Sequence, residues 1–132
     1  MEHILSLSYG KDSLACLGAI EKLGWPLDRI VHAEVWATDT IPADLPPMVE
    51  FKAKADRIIK ERWGIEVEHV RSENTYQDLF YKTKSEKAKH NPGMIRGWPF
   101  PGRGAWCQGE VKLPPLKALR QKRFNYLYRN SV

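Results

Sequence analysis

The chain has 132 residues, of which 42% are hydrophobic and 28% charged, a size and composition that suit one globular domain and exclude a disordered chain. The formal net charge of +5 favours an anionic ligand such as a nucleotide, and it would also suit nucleic acid. Two cysteines are too few for a disulfide framework. The sequence shows neither a cationic leader nor an apolar stretch that could span a bilayer. We therefore expect no membrane partner and a reducing, cytoplasmic location.

The start of the chain predicts a buried strand, a tight turn and a helix, in that order. Residues 4–7 are mostly apolar and indicate a short strand. Residues 14–23 carry apolar side chains nearly all round, as in a helix buried against a sheet. Gly10 suits the turn, where we expect a positive φ or a close approach of ligand. Asp12 or Ser13 is the expected N-cap of the helix.

The turn has the sequence Ser8-Tyr9-Gly10-Lys11-Asp12-Ser13, which contains the parts of a phosphate or sulfate site. Free N–H groups and the positive end of the helix dipole favour an anion at a helix N-terminus, and Lys11 adds a full positive charge. The spacing is not that of a Walker A loop, and a single glycine does not make a dinucleotide fingerprint. The alternative interpretation is an ordinary strand-to-helix turn.

A second candidate binding position follows the second predicted strand. Residues 30–36 are rich in β-branched and aromatic side chains and predict this strand, in which we interpret His32 as a strand residue rather than a ligand. Thr38-Asp39-Thr40 comes next, at a strand end of the kind where open α/β sheets bind ligands. The Asp39 carboxylate would suit a hydroxyl, an amine or Mg²⁺, or it could simply belong to a turn.

The middle of the chain predicts a long helix that starts near Pro46 and is closed by Gly64, followed by a third strand at 65–70. The charged alternate face of that strand indicates an edge position. Apolar residues at helical spacing form the expected core stripe of the helix, and its charged residues form an expected solvated face. The stripe contains Met48, Phe51, Ala55, Ile58, Ile59 and Trp63, and the charged face contains Lys52, Lys54, Asp56, Lys60 and Glu61.

The next segment predicts one more helix and then an irregular loop. Thr75 is the expected cap of a helix that runs to about Lys89 and has a solvated basic face. Residues 91–104 are rich in proline, glycine and aromatic side chains, and predict a loop that either covers a substrate or packs rigidly on the sheet. Arg96 and Arg103 favour the first interpretation because guanidinium groups suit phosphate and sulfate.

Three motifs, in the same order, resemble those of the PP-loop proteins, which include the N-type ATP pyrophosphatases and the phosphoadenosine-phosphosulfate (PAPS) reductases. The segment Ser-x-Gly-Lys-Asp-Ser at 8–13 is similar to the PP-loop itself, and Asp39-Thr40 is similar to an Asp-Thr pair after the family's second strand. The segment 106–112, Trp-Cys-x-x-Glu-x-Lys followed by Pro and Leu, resembles the Trp-Cys segment of the PAPS reductase branch. The resemblance covers the chain from about residue 4 to 119.

The alternation of strands and helices predicts an α/β fold with a mainly parallel sheet. The resemblance implies more: a three-layer α/β/α sandwich of the adenine nucleotide alpha hydrolase type, formed by a single domain whose first strand is central. It also implies that the chain binds ATP or a PAPS-like adenine nucleotide, with Mg²⁺ as a companion of the nucleotide and no metal site of the protein's own. An acceptor substrate would be a further, unidentified partner.

The resemblance also implies roles for individual residues. Phosphate or sulfate would be bound by Ser8, Tyr9, Gly10, Lys11, Asp12 and Ser13. Asp39 would lie near the ribose, the adenine or a metal ion. The substrate side would be formed by Arg96, Arg103, Cys107 and Lys112. Among all of these, the catalytic candidates are Lys11, Asp12 and Cys107.

Two features of the family have no counterpart in this sequence. The family's sheet continues into a Gly-Ile-Arg-like segment, and its reductases carry a nucleophilic Cys-Gly pair on a C-terminal tail. Residues 124–128 could form the additional strand, but neither motif is present. We expect no sulfonucleotide reduction by this chain alone, because Cys107 lacks a second thiol nearby in sequence to resolve an adduct. Adenylation with release of pyrophosphate needs no such thiol.

Other classes of function stay open at this stage. A non-catalytic module that binds a nucleotide or a partner chain is the main alternative, and a second copy or another chain could complete its site. A nucleic-acid binder is a weaker alternative, supported by the net charge and the Arg/Trp-rich loop. For the cysteines, we expect two unpaired thiols, with Cys16 buried in the first helix and Cys107 more accessible.

Overall fold

The computed structural model describes residues 1–98 and 106–119. Strands and helices alternate along the chain, so the protein is mixed α/β as predicted. The strands are β1 (Ile4–Ser6), β2 (Arg29–Glu34) and β3 (Val67–Arg71), and the helices are α1 (Lys11–Leu23), α2 (Pro46–Trp63) and α3 (Tyr76–Tyr81). A π-helical segment, Cys107–Lys112, continues into helical residues 113–119.

The strands form one three-stranded parallel sheet in the order β1-β2-β3. The register pairs Ile4 with Arg29, and the Leu7 N–H continues the ladder by donating to the Val31 carbonyl at 2.8 Å. Among the residues that the structure describes, β3 lies at an edge of this sheet, as its charged alternate face predicts. β1 was expected to be central, but within the described residues its only neighbour is β2, so it forms the opposite edge. The strand predicted at 124–128 lies outside the described residues.

The described chain divides into two compact units, and the first contains nearly all of the sheet together with α1 and α2. This first unit comprises Met1–Glu34 and Asp44–Val70. Its β2 strand is buried over four consecutive residues, as expected for a strand covered on both faces. Side chains from all three strands, both helices and the turn after β1 form its core, which contains Leu7, Tyr9, Leu17, Ile30, Ile59 and Val67.

Helix α1 is buried on one side only, which corrects the expectation of a helix buried all round. Leu17 is its one fully buried residue, and Leu14 packs partly against the core. Cys16 is exposed, contrary to the prediction. A helix that packs on a sheet through a single stripe leaves the opposite face in water, even where that face is apolar. Gly24 ends the helix in the left-handed conformation, with φ 63°.

Helix α2 has the predicted bounds, but its buried face is rotated from the predicted one. Ile59 is buried, whereas Phe51 and Ile58 are 44% and 45% exposed. Lys52 and Asp56, which the sequence assigns to the solvated face, are instead partly buried. Both side chains find ionic and hydrogen-bonding partners inside the first unit, and such pairing permits the burial of charge.

The second unit comprises Val35–Ala43 and the described residues from Arg71 onward. Thr75 caps α3 as predicted and forms a capping box with Asp78: the Asp78 N–H donates to the Thr75 hydroxyl at 3.2 Å, and the Thr75 N–H donates to the Asp78 carboxylate at 2.9 Å. The core of this unit is a small cluster of Leu79, Trp106 and Val111.

The prediction of a helix to Lys89 was wrong, because α3 ends at Tyr81. Lys82 is extended, and its carbonyl accepts from the Arg96 N–H at 2.8 Å. Thr83 and Ile95 form an antiparallel bridge one residue further along each segment. Partners for these backbone groups thus come from the returning segment, which stops the helix after two turns.

None of the helices within 1–98 and 106–119 is both long and apolar enough to cross a membrane.

Candidate functional site

The segment of residues 8–13, called loop 8–13 below, comprises the turn after β1 and the first three residues of α1, and it is held closed by a pair of serines. Ser8 Oγ donates to Ser13 Oγ at 3.0 Å, and Ser13 Oγ donates to the Gly10 carbonyl at 3.0 Å. The backbone N–H groups of Ser8 and Gly10 point into the same cluster of hydroxyls, at 3.3 and 3.4 Å. The two serines therefore fix the shape of the loop from inside.

Helix α1 starts within this segment, at Lys11, with Gly10 as its N-cap. Neither Asp12 nor Ser13 caps it, contrary to prediction, because Ser13 Oγ is occupied by Ser8 and by the Gly10 carbonyl. The N-cap residue, Gly10, provides no side-chain cap, and the first N–H groups of an α-helix have no intrahelical acceptor. Lys11 and Asp12 occupy this first turn and are exposed. The helix start thus offers N–H donors and one ammonium group to the solvent.

The unusual backbone conformation in the loop belongs to Tyr9 rather than to Gly10. Gly10 has φ −73°, an ordinary value, whereas Tyr9 has φ 60°. A bulky residue in the left-handed region costs about 1–3 kcal/mol and persists only where its surroundings hold it. The Tyr9 side chain is 3% exposed, and its hydroxyl donates to the Asp56 carboxylate of α2. Burial and this hydrogen bond raise the pKa of Tyr9, so the phenol stays protonated.

Two histidines complete the surroundings of the Tyr9 ring. The His32 ring meets it edge-on with ring centroids 4.7 Å apart, and the His69 ring stacks beside it at 6.3 Å. His69 Nε2 lies 2.7 Å from Asp56 Oδ2, and its Nδ1 lies 2.8 Å from Glu34 Oε1. The His69 ring therefore bridges a carboxylate of β2 and a carboxylate of α2.

Lys52 extends this network on the other side of His32. Its Nζ donates to His32 Nε2 at 3.0 Å and to Asp44 Oδ2 at 2.5 Å. His32 Nδ1 lies 2.7 Å from the Leu7 carbonyl, which can only accept, so Nδ1 carries the ring proton. Burial lowers the pKa of His32, consistent with a neutral ring. Hereafter we use the name Tyr9 network for Tyr9, His32, Glu34, Asp44, Lys52, Asp56 and His69.

Most of the Tyr9 network was missed by the sequence interpretation. Lys52 and Asp56 were placed on a solvated face, and His69 was not singled out. One signal was available: Lys52 and Asp56 are spaced i, i+4, and each lies three residues before a core residue, Ala55 and Ile59, respectively. Charged residues that share a helix stripe with core residues indicate a buried polar cluster.

Asp39, the second predicted position, belongs to the second unit. It is exposed at a tight turn in which the Ala37 N–H donates to the Ile41 carbonyl at 2.9 Å. Thr38 Oγ1 accepts from the Ile41 N–H at 3.1 Å and secures the turn. These hydrogen bonds of the turn come from other residues, and the Asp39 side chain is exposed to solvent.

Arg96 is also in the second unit, where Glu110 binds it. Arg96 Nη2 donates to Glu110 Oε1 at 3.0 Å, and Nη1 contacts the other carboxylate oxygen. The pair lines a polar cavity of about 260 Å³ together with Lys82 and Lys84. An anion bound at Arg96 would have to share the guanidinium with Glu110. Arg103 lies outside the described residues.

Cys107 and Lys112 mark the two ends of the π-helical segment. Cys107 is half-buried and packs against the cluster of Leu79, Trp106 and Val111, whereas Lys112 is exposed. Short π-helical segments often occur at functional sites. The cysteine is a free thiol, as is Cys16.

Across residues 1–98 and 106–119, no three His, Cys, Asp or Glu side chains are arranged to hold a metal ion. Within the first unit, the start of α1 combines N–H groups that lack an intrahelical acceptor with the exposed Lys11 ammonium. This arrangement can bind and orient an oxyanion and offset its charge.

Comparisons with protein-family models, with curated proteins and with solved structures found no match to this chain.

Proposed function

We propose that the chain is a PAPS reductase-like PP-loop protein that binds the phosphate or sulfate groups of an adenine nucleotide at loop 8–13. The nucleotide is ATP or a sulfated adenine nucleotide, and the reaction that suits the site is adenylation of an acceptor with release of pyrophosphate. The three-layer adenine nucleotide alpha hydrolase fold and a reducing, cytoplasmic location are parts of the same proposal. The two free thiols support that location.

The geometry of loop 8–13 carries the proposal. The bond between Ser8 and Ser13 keeps the turn tight, and α1 begins without a side-chain cap, so its first N–H groups are available to a ligand. Lys11 is exposed beside them. Backbone donors at a helix start and an adjacent ammonium group are a suitable environment for a phosphate or sulfate oxygen.

The residues of the loop would contribute by position and charge. When a substrate oxygen attacks the α-phosphorus of ATP, negative charge moves onto the departing pyrophosphate. N–H donors fixed at the start of α1 and the Lys11 ammonium would stabilise that charge without reorganising. Such chemistry requires no nucleophile from the protein. Asp39 stays a proposed contact to the ribose, the adenine or a metal ion. The proposed contacts on the substrate side are Arg96, Arg103, Cys107 and Lys112.

Calorimetric titration with ATP tests the binding site. Lys11→Ala should weaken binding by about 1–3 kcal/mol, because it removes a charge-assisted contact. Lys22→Ala is the matched control: it removes the same charge from an exposed lysine in the last turn of the same helix, about 16 Å away along the axis. Equal affinities for the parent protein and both variants would overturn the assignment.

Radiolabelled ATP with detection of pyrophosphate then tests for catalysis. Release of pyrophosphate that requires an added acceptor and is lost in Lys11→Ala would identify an adenylating enzyme. Tight binding of ATP without release, over a panel of acceptors, would identify the chain as a nucleotide-binding module. Sulfite release from PAPS in the presence of a thiol donor would instead identify a reductase, and Cys107→Ser should then abolish it.

A further inference from the structure

Tyr9 connects loop 8–13 to a set of titratable groups that the proposed function does not use. Its backbone lies between Ser8 and Gly10, whose atoms shape the loop, and its hydroxyl donates to Asp56 on α2. The left-handed conformation of a buried aromatic residue needs such support. The position of the Asp56 carboxylate therefore affects the shape of the loop.

A contact with His69 helps to hold the Asp56 carboxylate in position. Both ring nitrogens contact carboxylate oxygens, Nε2 at 2.7 Å from Asp56 and Nδ1 at 2.8 Å from Glu34. A neutral imidazole has one N–H and one lone pair, and only the imidazolium can donate to two carboxylates at once. If both carboxylates are ionised, the geometry requires His69 to be protonated. Loss of that proton would set a lone pair against a carboxylate oxygen at one of the two contacts.

The neighbouring groups His32, Lys52 and Tyr9 are engaged in other contacts. His32, at a centroid distance of 5.5 Å, already uses Nδ1 toward the Leu7 carbonyl and Nε2 toward Lys52. The Lys52 ammonium lies 2.5 Å from the Asp44 carboxylate, so the two charges offset each other. Tyr9 is a neutral phenol. Glu34 and Asp56 both contact the His69 ring, so a proton on each ring nitrogen places a positive charge between the two carboxylates.

We propose that Tyr9 is a positioning residue for anion binding at loop 8–13, and that protonation of His69 couples the anion affinity of this loop to pH. The inference rests on the proposed function, because it assigns to that same binding site a dependence on His69. With His69 protonated, Asp56 is held in place, Tyr9 is anchored, and the loop keeps the shape that exposes its donors. Anion affinity should therefore fall as the pH rises through the range in which histidines ordinarily lose their second proton.

Sulfate is the suitable probe, because it carries two negative charges throughout the range from about pH 5.5 to 8.5, where histidines ordinarily titrate. Lysine and aspartate side chains ordinarily titrate outside this range. NMR titration with sulfate measures affinity from the amide shifts of Lys11 and Ser13, and the ring signals of His69 report its protonation in the same samples. We expect affinity to fall by about fivefold or more over the range, at the lower end of typical coupling between sites.

Two variants distinguish a specific loss of the pH dependence of sulfate affinity from a general loss of folded structure. Tyr9→Phe keeps the ring but removes the hydroxyl, and His69→Gln removes the titrating group. Both should bind sulfate with an affinity that no longer changes with pH. His3→Gln is the matched control, because His3 is an exposed histidine that contacts the Asp28 carboxylate at 3.3 Å, and it should keep the pH dependence of the parent. Circular dichroism verifies that each variant is folded.

The outcomes distinguish this inference from the proposed function. The inference would be overturned if the parent protein bound sulfate at loop 8–13 with an affinity independent of pH. It would also be overturned if Tyr9→Phe or His69→Gln kept the pH dependence of the parent. Either result would still support the proposed binding site. Absence of sulfate shifts at Lys11 and Ser13 at every pH would overturn both. If His69→Gln proves unfolded, the behaviour of Tyr9→Phe decides.

Discussion

Glu110 clamps the Arg96 guanidinium from the π-helical segment, with both carboxylate oxygens engaged. The pair joins two segments of the second unit that are 14 residues apart. Hydrogen bonds from Arg96 hold the pKa of the Glu110 carboxyl below its ordinary value. The folded state therefore binds the Glu110 proton less readily than the unfolded chain does.

This shift predicts sensitivity to acid. The contribution of Glu110 to stability is present above the ordinary pKa of glutamate, about 4.3, and is lost as the pH falls through the lower value in the folded protein. Because the Glu110 side chain is 39% exposed, solvent screens the pair and the contribution should be only about 0.5–1 kcal/mol. Urea unfolding at neutral and acid pH measures it.

Glu110→Gln should lower the free energy of unfolding at neutral pH and flatten its decline in acid. Glu66→Gln is the control, since Glu66 also faces a cation, Lys60 at 3.5 Å, but both side chains are largely exposed. That variant should unfold like the parent protein. Parallel acid profiles for Glu110→Gln and the parent would show that the Arg96 pair contributes nothing measurable.

The two thiols should react in the order opposite to the one expected from the sequence. Cys16 is exposed on the outer side of α1, whereas Cys107 packs against a buried cluster. Alkylation followed by mass spectrometry should label Cys16 several-fold faster in the native protein, and the rates should converge in urea. Faster labelling of Cys107 in the native state would contradict the structure.

The case of Cys16 illustrates what the sequence could and could not predict about the fold. The order of the strands and helices follows from local signals: Gly24 and Gly64 end helices, and Thr75 begins one. The burial of a helix face is not local, because it depends on which side the sheet covers. An apolar stripe such as the one around Cys16 can face the core or the solvent.

The candidate site likewise depends on residues that are distant in sequence. The sequence predicted segment 8–13 as a candidate site, but it did not predict the contacts that support the backbone of Tyr9. Tyr9, Asp56 and His69 come from three distant parts of the chain, and only the folded structure brings them together. The premature end of α3 is a further example, since backbone groups from residues 94–97 replace the hydrogen bonds of the expected helix.

The capping box of α3 predicts a measurable cost for losing one hydroxyl. Thr75 is 2% exposed, and its hydroxyl accepts the Asp78 N–H. Thr75→Ala should lower the free energy of unfolding by about 1 kcal/mol, because it leaves this N–H without its cap. Thr75→Ser keeps the hydroxyl and should retain most of the stability. Equal losses in both variants would attribute the effect to the methyl group rather than to the cap.

Two glycines should respond differently to alanine because their backbones differ. Gly64 ends α2 at φ 68°, and Gly64→Ala should lower the free energy of unfolding by about 1–2 kcal/mol. Gly10 has φ −73°, and an added Cβ would meet only Ser8 Oγ, at 3.4 Å. Gly10→Ala should therefore change stability by about 0.5 kcal/mol or less. Thermal unfolding of both variants tests the contrast, and a Gly10→Ala loss as large as that of Gly64→Ala would contradict the observed loop conformation.

The contact between Tyr9 and Asp56 also sets a time at which the loop can take its shape during synthesis. The two residues are separated by 47 positions, and both contacts of the Tyr9 hydroxyl, with Asp56 and with His69, come from the later part of the chain. At about 5–20 residues per second, a ribosome needs roughly 2 to 10 seconds to make that interval. The strand and helix on either side of the loop are complete well before then. A nascent chain that stops short of α2 should therefore carry the whole motif at 8–13 and still fail to bind an anion there.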